Sequence, residues 1–380
     1  MDWNLTADQQ MVVDMVRDFA TNELKPLAAH LDRTGEFPLE NLRKMAALGL
    51  MGMNVPAEYG GSPVGAVAFS LALSEVARAC ASTSCTMTVT NMVAEAINHF
   101  GTEEQRLAFI PKVVGGDYPI GSFCLTESQS GSDAAALSTK AVRDGQSWVL
   151  NGSKIFISHG AYASVLVVWA RTSDAPKAKG ISCFMVERGT PGLIIGKHED
   201  KMGLRGSNTV SLTFDNCRIP LGNLLGEENG GFKIAMMALD GGRIGISSQA
   251  VGIMQAALDL SVEYAKIRQQ FGQAIGRFEA IQWMIANMAT ELEAARSLTL
   301  RAAWLKENRQ PFSQEASMAK LYSSEAVNRA VKNAVQIYGG YGYTKEYPVE
   351  RLFRDARVTT LYEGTSEIQR LVIARQLIEE

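Results

Sequence analysis

Apolar residues recur at helical spacing through roughly the first 115 residues. Thr6 to Gln9 reads as a capping box, and Met11, Val12, Met15, Val16 and Phe19 follow it along one helical stripe. Pro26 and the Gly35-Glu36-Phe37-Pro38 stretch end that unit. The loop Tyr59-Gly60-Gly61-Ser62-Pro63 precedes a second apolar helical pattern around 66–80, and a third spans 84–100 and closes at Phe100-Gly101. From residue 119 the texture changes. Ser147 to Ile157 reads as a hairpin, with Asn151-Gly152 supplying a turn of positive φ. Ala163–Arg171, Ile181–Glu187 and Thr209–Phe214 are further β runs. Short strands without intervening helices predict an antiparallel barrel or sandwich rather than a βαβ sheet. From residue 230 the pattern is helical again. Ile281, Met284, Ile285, Met288, Leu292 and Ala295 mark one long amphipathic helix, and several such segments predict a bundle. The expected fold is mainly α with a middle β-domain, divided at 1–118, 119–228 and 229–380.

Composition narrows the class. The chain has 380 residues and is 46% hydrophobic, which supplies a large core without disulfides. Lys plus Arg number 37 against 40 Asp plus Glu, a balance that argues against a general nucleic-acid binder. No apolar run reaches the length of a membrane span. The start, Met1-Asp2-Trp3-Asn4-Leu5, has no basic or apolar leader character. Cys80, Cys85, Cys124, Cys183 and Cys217 are odd in number and form no C-x-x-C, which reads as a reduced intracellular protein. The expected location is the cytoplasm, or the mitochondrial matrix for a mature eukaryotic form. With four His and no H-E-x-x-H, no metal is expected.

Nucleotide motifs of the common kinds are missing: there is no G-x-G-x-x-G after a strand, no G-x-x-x-x-G-K-[ST] and no G-x-S-x-G. Four other segments carry candidate chemistry. Phe123-Cys124-Leu125-Thr126-Glu127 to Gly131-Ser132-Asp133 crowds hydroxyls around a Gly, which suits an anion or a flat polar ring. Gln336 to Gly339-Gly340-Tyr341-Gly342 permits close backbone approach between helices. Arg268-Gln269-Gln270-Phe271-Gly272 offers a cation for a pyrophosphate. Tyr362-Glu363-Gly364-Thr365-Ser366-Glu367-Ile368-Gln369 places a carboxylate before the last helix, opened by a Ser366-x-x-Gln369 capping box or by Thr365. Read singly, each is also a plain turn, cap or solvated helix end.

Together, and in this order, the four resemble the acyl-CoA dehydrogenase family over essentially the whole chain. Cys124 to Ala136 is similar to the family's first signature. Gln336, Gly339, Gly340, Gly342, Glu346, Arg351 and Asp355 are similar to its second. The resemblance implies a helical N-terminal domain, a middle β-domain and a C-terminal four-helix domain. It further implies bound FAD, a homotetramer built as a dimer of dimers, oxidation of acyl-CoA to the trans-2-enoyl-CoA, and electron-transferring flavoprotein as acceptor. By resemblance, Phe123, Leu125, Thr126, Gly131, Ser132, Phe156, Ile157 and Ser158 line the flavin. Arg268, Gln270, Phe271, Gln336, Gly339 and Gly340 reach the FAD of a neighbouring subunit, and Thr365 with Glu367 closes the site. Ser132, Asp240, Arg243, Tyr362 and Gly364 contact substrate. Glu363 matches the catalytic base, its backbone N–H one of two donors to the thioester carbonyl, and substrate binding is expected to raise its pKa toward neutrality. The position where some family branches carry the base is Gly242 here. Glu279 departs from a Gln that many relatives place near the cofactor. The texture is closest to short-chain and short branched-chain members: Gly180–Glu187 with Gly189-Thr190-Pro191-Gly192 resembles isobutyryl-type enzymes, and Tyr362–Gln369 butyryl-type ones. No Lys or Arg lies between Arg78 and Arg106, so a dicarboxylyl-CoA would lack a counter-cation from that helix. An isobutyryl- or 2-methylbutyryl-CoA dehydrogenase, a related flavin oxidase or monooxygenase, and a non-catalytic flavoprotein scaffold are the alternatives. Retained Glu363 at this length favours the dehydrogenase.

Overall fold

The computed structural model describes residues 5–379, so the leader reading at 1–4 lies outside the described residues. Six helices come first: α1 (Ala7–Phe19), α2 (Ala28–Thr34), α3 (Leu39–Ala47), α4 (Ala66–Ala79), α5 (Ala81–Phe100) and α6 (Glu103–Val114). The Thr6–Gln9 capping box forms, both reciprocal bonds being present. Of its predicted stripe, Val16 is buried and Val12, Met15 and Phe19 pack partly buried against the core, while Met11 is exposed and Val13, off the stripe, is buried instead. Helix α5 is buried along nearly its whole length despite its Ser and Thr content, because hydroxyls bond back to the helix, as Thr88 Oγ1 does to the Ser84 carbonyl at 2.9 Å.

The middle region carries β1 (Gly121–Cys124), β2 (Lys140–Asp144), β3 (Ser147–Ser158), β4 (Val165–Arg171), β5 (Ile181–Glu187), β6 (Leu193–His198), β7 (Thr209–Pro220) and β8 (Leu224–Leu225). They order as β6-β7-β3-β2-β4-β5-β8, with β1 parallel to β4. The sheet folds over in sandwich fashion and does not close, so the barrel expectation is not met. Its two halves meet where β2 pairs with β4 only at Lys140 and Arg171.

The predicted hairpin turn is also displaced. Asp144 pairs with Ser147, so Gly145 and Gln146 form the two-residue turn, with Gly145 at φ +60°. Asn151-Gly152 lies inside β3 at a bulge against β7. A turn there would pull Lys154 and Ile157, both buried, out of a strand that pairs with β7 from Ser147 to Ser158.

The C-terminal region contains α7 (Gly231–Ile267), the small hairpin β9 (Gln269–Gln270) with β10 (Gln273–Ala274), α8 (Glu279–Glu307), α9 (Ser313–Tyr338), α10 (Val349–Ala356) and α11 (Ser366–Glu379). The periodic run from Ile281 lies on α8, with Met288, Leu292 and Ala295 buried. Glu279 is exposed at the start of α8, where its charge complements the positive helix end. Arg354 of α10 ties this region to the N-terminal helices through both carboxylate oxygens of Asp32, at 2.6 and 2.7 Å. All five cysteines are buried free thiols.

Candidate active site

A cleft of about 690 Å³ opens where the sheet, α5, α7 and α11 meet. Its wall from α7 is Phe232, Met236, Leu239, Arg243 and Ile246, spaced by three and four along one helix face. Helix α5 contributes Cys85 and Val89, one turn apart, and both are uncharged. The strand β1 feeds Phe123, and the loop after it Leu125, Thr126, Gly131 and Ser132. The end of β3 adds Phe156 and Ser158, and the segment before α11 adds Tyr362, Glu363 and Gly364. Five sequence segments, distant in the chain, thus share one concavity.

Glu363 is held there by unusual backbone. It has φ +55° and Gly364 has φ +85°, two successive left-handed residues, which a non-glycine occupies only when its surroundings enforce it. Its Oε2 is buried without a hydrogen-bond partner. Burial pushes the carboxyl up to about 7, with Lys320 and Arg243 offsetting part of that rise. The pocket raises this carboxyl before any substrate is bound. A Cβ on Gly242 would stand 2.5 Å from Glu363 Oε2, so the two positions face the same point. Arg243 is buried and donates to Asp240 Oδ1 at 2.5 Å and to Ser317 Oγ at 3.1 Å. Asp240 also accepts from Ser313 Oγ and does not line the cleft; its contact is with Arg243 rather than with the cavity. Tyr362 donates its hydroxyl proton toward Gln249 Oε1.

The remaining candidates fall elsewhere. Ile157 turns into the core between the two residues that flank it in the cleft, as strand alternation requires. Arg268, Gln270, Gly339 and Gly340 line a second cleft of about 520 Å³ that shares no residue with the first. The Arg268 guanidinium lies 5.4 Å from the Tyr341 ring centre. Phe271 is 93% exposed at the tip of the β9–β10 hairpin. Gln336 is exposed and contributes its carbonyl to the Gly339 N–H at the end of α9. Thr365, not Ser366, caps α11: its Oγ1 accepts from the Ile368 N–H at 3.3 Å. Ser366 is already helical and its buried Oγ has no partner, while Gln369 turns back toward the carbonyls of Glu363 and Gly364. The capping-box expectation at 366–369 is therefore wrong. Glu367 is exposed at the first turn of α11.

Several residues of this site were not singled out in the sequence. Cys85, Val89, Phe232 and Met236 carried only a helical spacing as signal. Lys320, fully buried beside Glu363, carried none. Behind the β1 loop, Glu127 and Lys154 form a buried ion pair at 2.7 Å. Glu127 also accepts from Gln129 Nε2, Ser138 N, Ser138 Oγ and Thr139 N, and Lys154 donates to the Leu125 carbonyl at 3.2 Å. Among the described residues no group of His, Cys, Asp or Glu is arranged to hold a metal, and no helix is long and apolar enough to cross a membrane.

Comparison with known proteins gives matches over the same regions. The acyl-CoA dehydrogenase N-terminal, middle and C-terminal domain families match residues 6–117, 122–217 and 229–378. The chain is 50% identical over 375 residues to the human mitochondrial short-chain specific acyl-CoA dehydrogenase, covering 98% of this chain and 91% of the relative. It is 47% identical over 381 residues to an acryloyl-CoA reductase (NADH) of Anaerotignum propionicum, covering 100% and 96%. Among solved structures, butyryl-CoA dehydrogenase of Megasphaera elsdenii superposes with a TM-score of 0.97 at 42% identity, over the whole of both chains. A chain from the structure described as electron transferring flavoprotein of Acidaminococcus fermentans, towards a mechanism of flavin-based electron bifurcation, superposes with a TM-score of 0.98 at 44% identity, again over both whole chains.

Proposed function

The chain belongs to the acyl-CoA dehydrogenase family and is an oxidoreductase acting on acyl-CoA with FAD, and on that premise we propose that it α,β-dehydrogenates short acyl-CoAs with Glu363 as the base. The observation that carries the assignment is the buried, unpartnered Glu363 Oε2, with a carboxyl poised at about 7, facing the cleft. A general base is most effective with a pKa near the working pH.

The cleft suits the cofactor. Its volume is within the range of cofactor sites, and its lining mixes apolar Phe123 and Leu125 with the hydroxyls of Thr126, Ser132 and Ser158. These residues would hold the ring, which when bound accepts the β-hydride. Everything else in the step belongs to the chain. Glu363 takes the α-proton at Oε2 and becomes neutral, the form its buried site favours. Its backbone N–H, on the left-handed turn, is one donor to the thioester carbonyl as charge develops there. Phe232, Met236 and Leu239 exclude water from the acyl chain, and Arg243, fixed by Asp240, stands toward the pantetheine end. The relative named as an acryloyl-CoA reductase fits the same residues run in reverse, Glu363 then returning the proton.

A protonated Glu363 cannot accept a proton. Hence kcat/KM should fall about tenfold per pH unit below about 7 and level off above it. A pH-independent profile between 5 and 8, about where a raised carboxyl titrates, would contradict the assignment.

The Arg268 group lies outside the Glu363 cleft, so its place in the reading is as a contribution from a second copy to FAD. Exposed Ile267 and Phe271 in the same segment support a subunit contact. The assembly proposed is a homotetramer, with electron-transferring flavoprotein as acceptor. Arg268→Ala should weaken FAD retention by about 1.5–3 kcal/mol, the worth of one charged hydrogen bond, without unfolding the protein. Flavin content after gel filtration measures it. Full occupancy in nanomolar protein would sink the interface role.

The function itself is tested with an acyl-CoA panel and an artificial electron acceptor. Straight or singly branched C4 to C6 substrates should turn over far better than C12 or longer. Glutaryl-CoA should be poor, since Cys85 and Val89 offer its free carboxylate no cation. Comparable kcat/KM for butyryl-CoA and palmitoyl-CoA would contradict the short-chain reading.

A further inference from the structure

Two left-handed residues in succession, one of them not glycine, do not hold themselves. The Glu363 and Gly364 carbonyls are both fixed from one side. Gln369 Nε2 donates to the first at 3.1 Å and to the second at 2.9 Å, and Lys320 Nζ donates to the second at 2.7 Å. Both side chains are fully buried. Lys320 sits on a face of α9 that already serves this site: Ser313 bonds Asp240, Ser317 bonds Arg243, and Lys320 follows one turn on. A buried ammonium whose bonded partner is a neutral carbonyl is costly unless a carboxylate stands near. Lys320 lies in the field of Glu363 and Glu367.

We propose that Lys320 and Gln369 are positioning residues for the proton transfer: they clamp the Glu363–Gly364 turn so that the carboxylate and its backbone N–H share one aim into the cleft. The proposal rests on the reading of Glu363 as the base and names what holds that base in place. Gln369 is spent on this rather than on capping α11, which explains why Thr365 takes the cap. The cation adds a second effect. Glu363 is faced by Lys320 from α9, Arg243 from α7, Cys85 from α5 and Tyr362 from its own segment, and Lys320 also feels Glu367 from the first turn of α11. Removing Lys320 leaves Arg243 as the nearby cation and lets the carboxyl rise further.

The test compares Lys320→Met, Lys320→Gln and Gln369→Leu with wild type. Anaerobic flavin bleaching by butyryl-CoA should slow about 10²-fold in Lys320→Met and Gln369→Leu, the cost of a base displaced by about 1 Å, while flavin content and KM stay at wild-type values. Lys320→Gln, which keeps a donor for the Gly364 carbonyl, should recover part of the rate. The acid limb of kcat/KM should move to higher pH in Lys320→Met and stay put in Gln369→Leu. Independently of turnover, amide hydrogen exchange over residues 361–366 should quicken in Lys320→Met and Gln369→Leu. Should Lys320→Met fail to accumulate as yellow protein, Gln369→Leu decides. Wild-type bleaching and exchange in Gln369→Leu would overturn the proposal, as would rate loss that only follows flavin loss. Glu363→Gln run alongside separates the two ideas: if it is inert while both clamp variants are normal, only the clamp fails, and if it bleaches normally, the base itself is wrong.

Discussion

Glu363→Gln is expected to purify as a yellow, folded protein whose turnover is lower by roughly 10²–10⁴ or more, the cost of losing a general base. The substitution keeps the side chain's size and removes the lone pair that takes the proton. The residues proposed to line FAD make no hydrogen bond to Glu363 Oε2, and Arg243 keeps its bonds to Asp240 and Ser317. The position facing it is Gly242, which supplies no carboxylate to replace it. A Glu placed at 242 beside the native Glu363 would collide, with Oε2 at 2.5 Å and Met92 Sδ at 2.9 Å from the new Cβ. Combined with Glu363→Gly, the same Gly242→Glu fills vacated space and aims a carboxylate at the same point. The double variant should therefore regain part of the activity that either single variant lacks. Stability should shift in the opposite sense. A carboxyl raised from 4.5 to about 7 on folding favours the native state below pH 4.5, and that contribution is lost as pH rises through 7. Glu363→Gln should thus be more heat-stable than wild type at pH 8.

The second large effect is structural. Lys154→Met should cost about 3–5 kcal/mol, because it leaves the Glu127 carboxylate buried without its cation. Burial alone would push Glu127 up, but Lys154 and the donors around the carboxylate hold it down to about 2. That depressed pKa stabilises the fold above about pH 4.5, and the contribution is lost as pH falls toward 2. The same pair fixes both ends of the cleft loop, through the Leu125 carbonyl on one side and the Ser138 and Thr139 amides on the other. FAD retention should therefore fall together with the unfolding midpoint. A midpoint shift worth less than about 1 kcal/mol would show the pair to be dispensable.

What the sequence disclosed followed the range of the forces involved. Helix positions and the Thr6 cap are local, and they stand where the spacing put them, although the inward face of α1 centres on Val13 and Val16 and leaves Met11 exposed. The choice between Gly145-Gln146 and Asn151-Gly152 as the β-turn is not local. Both pairs satisfy turn chemistry, and the decision came from burial of Lys154 and Ile157 against a strand more than fifty residues away. Closure of the sheet likewise depends on pairings that no single strand encodes. At the site, Glu363, Arg243 and the Gly131 loop were legible because the motif around each is long. Ile157 was misplaced by one step of strand alternation. The Ser366–Gln369 spacing matched a cap, yet the two carbonyls of the left-handed turn claimed Gln369 first. Lys320 escaped notice because a lone Lys in a helix reads as solvated until its burial is seen.

The proposed reaction turns on the proton assigned to Glu363. The direct measurement is anaerobic mixing of wild-type enzyme and Glu363→Gln, matched in FAD content, with butyryl-CoA while flavin bleaching is followed in time. Wild type should bleach in a fast phase, and Glu363→Gln should bleach slower by at least about 10²-fold while still binding the substrate. Bleaching of both at one rate would mean that another residue takes the proton and that Glu363 is not the base.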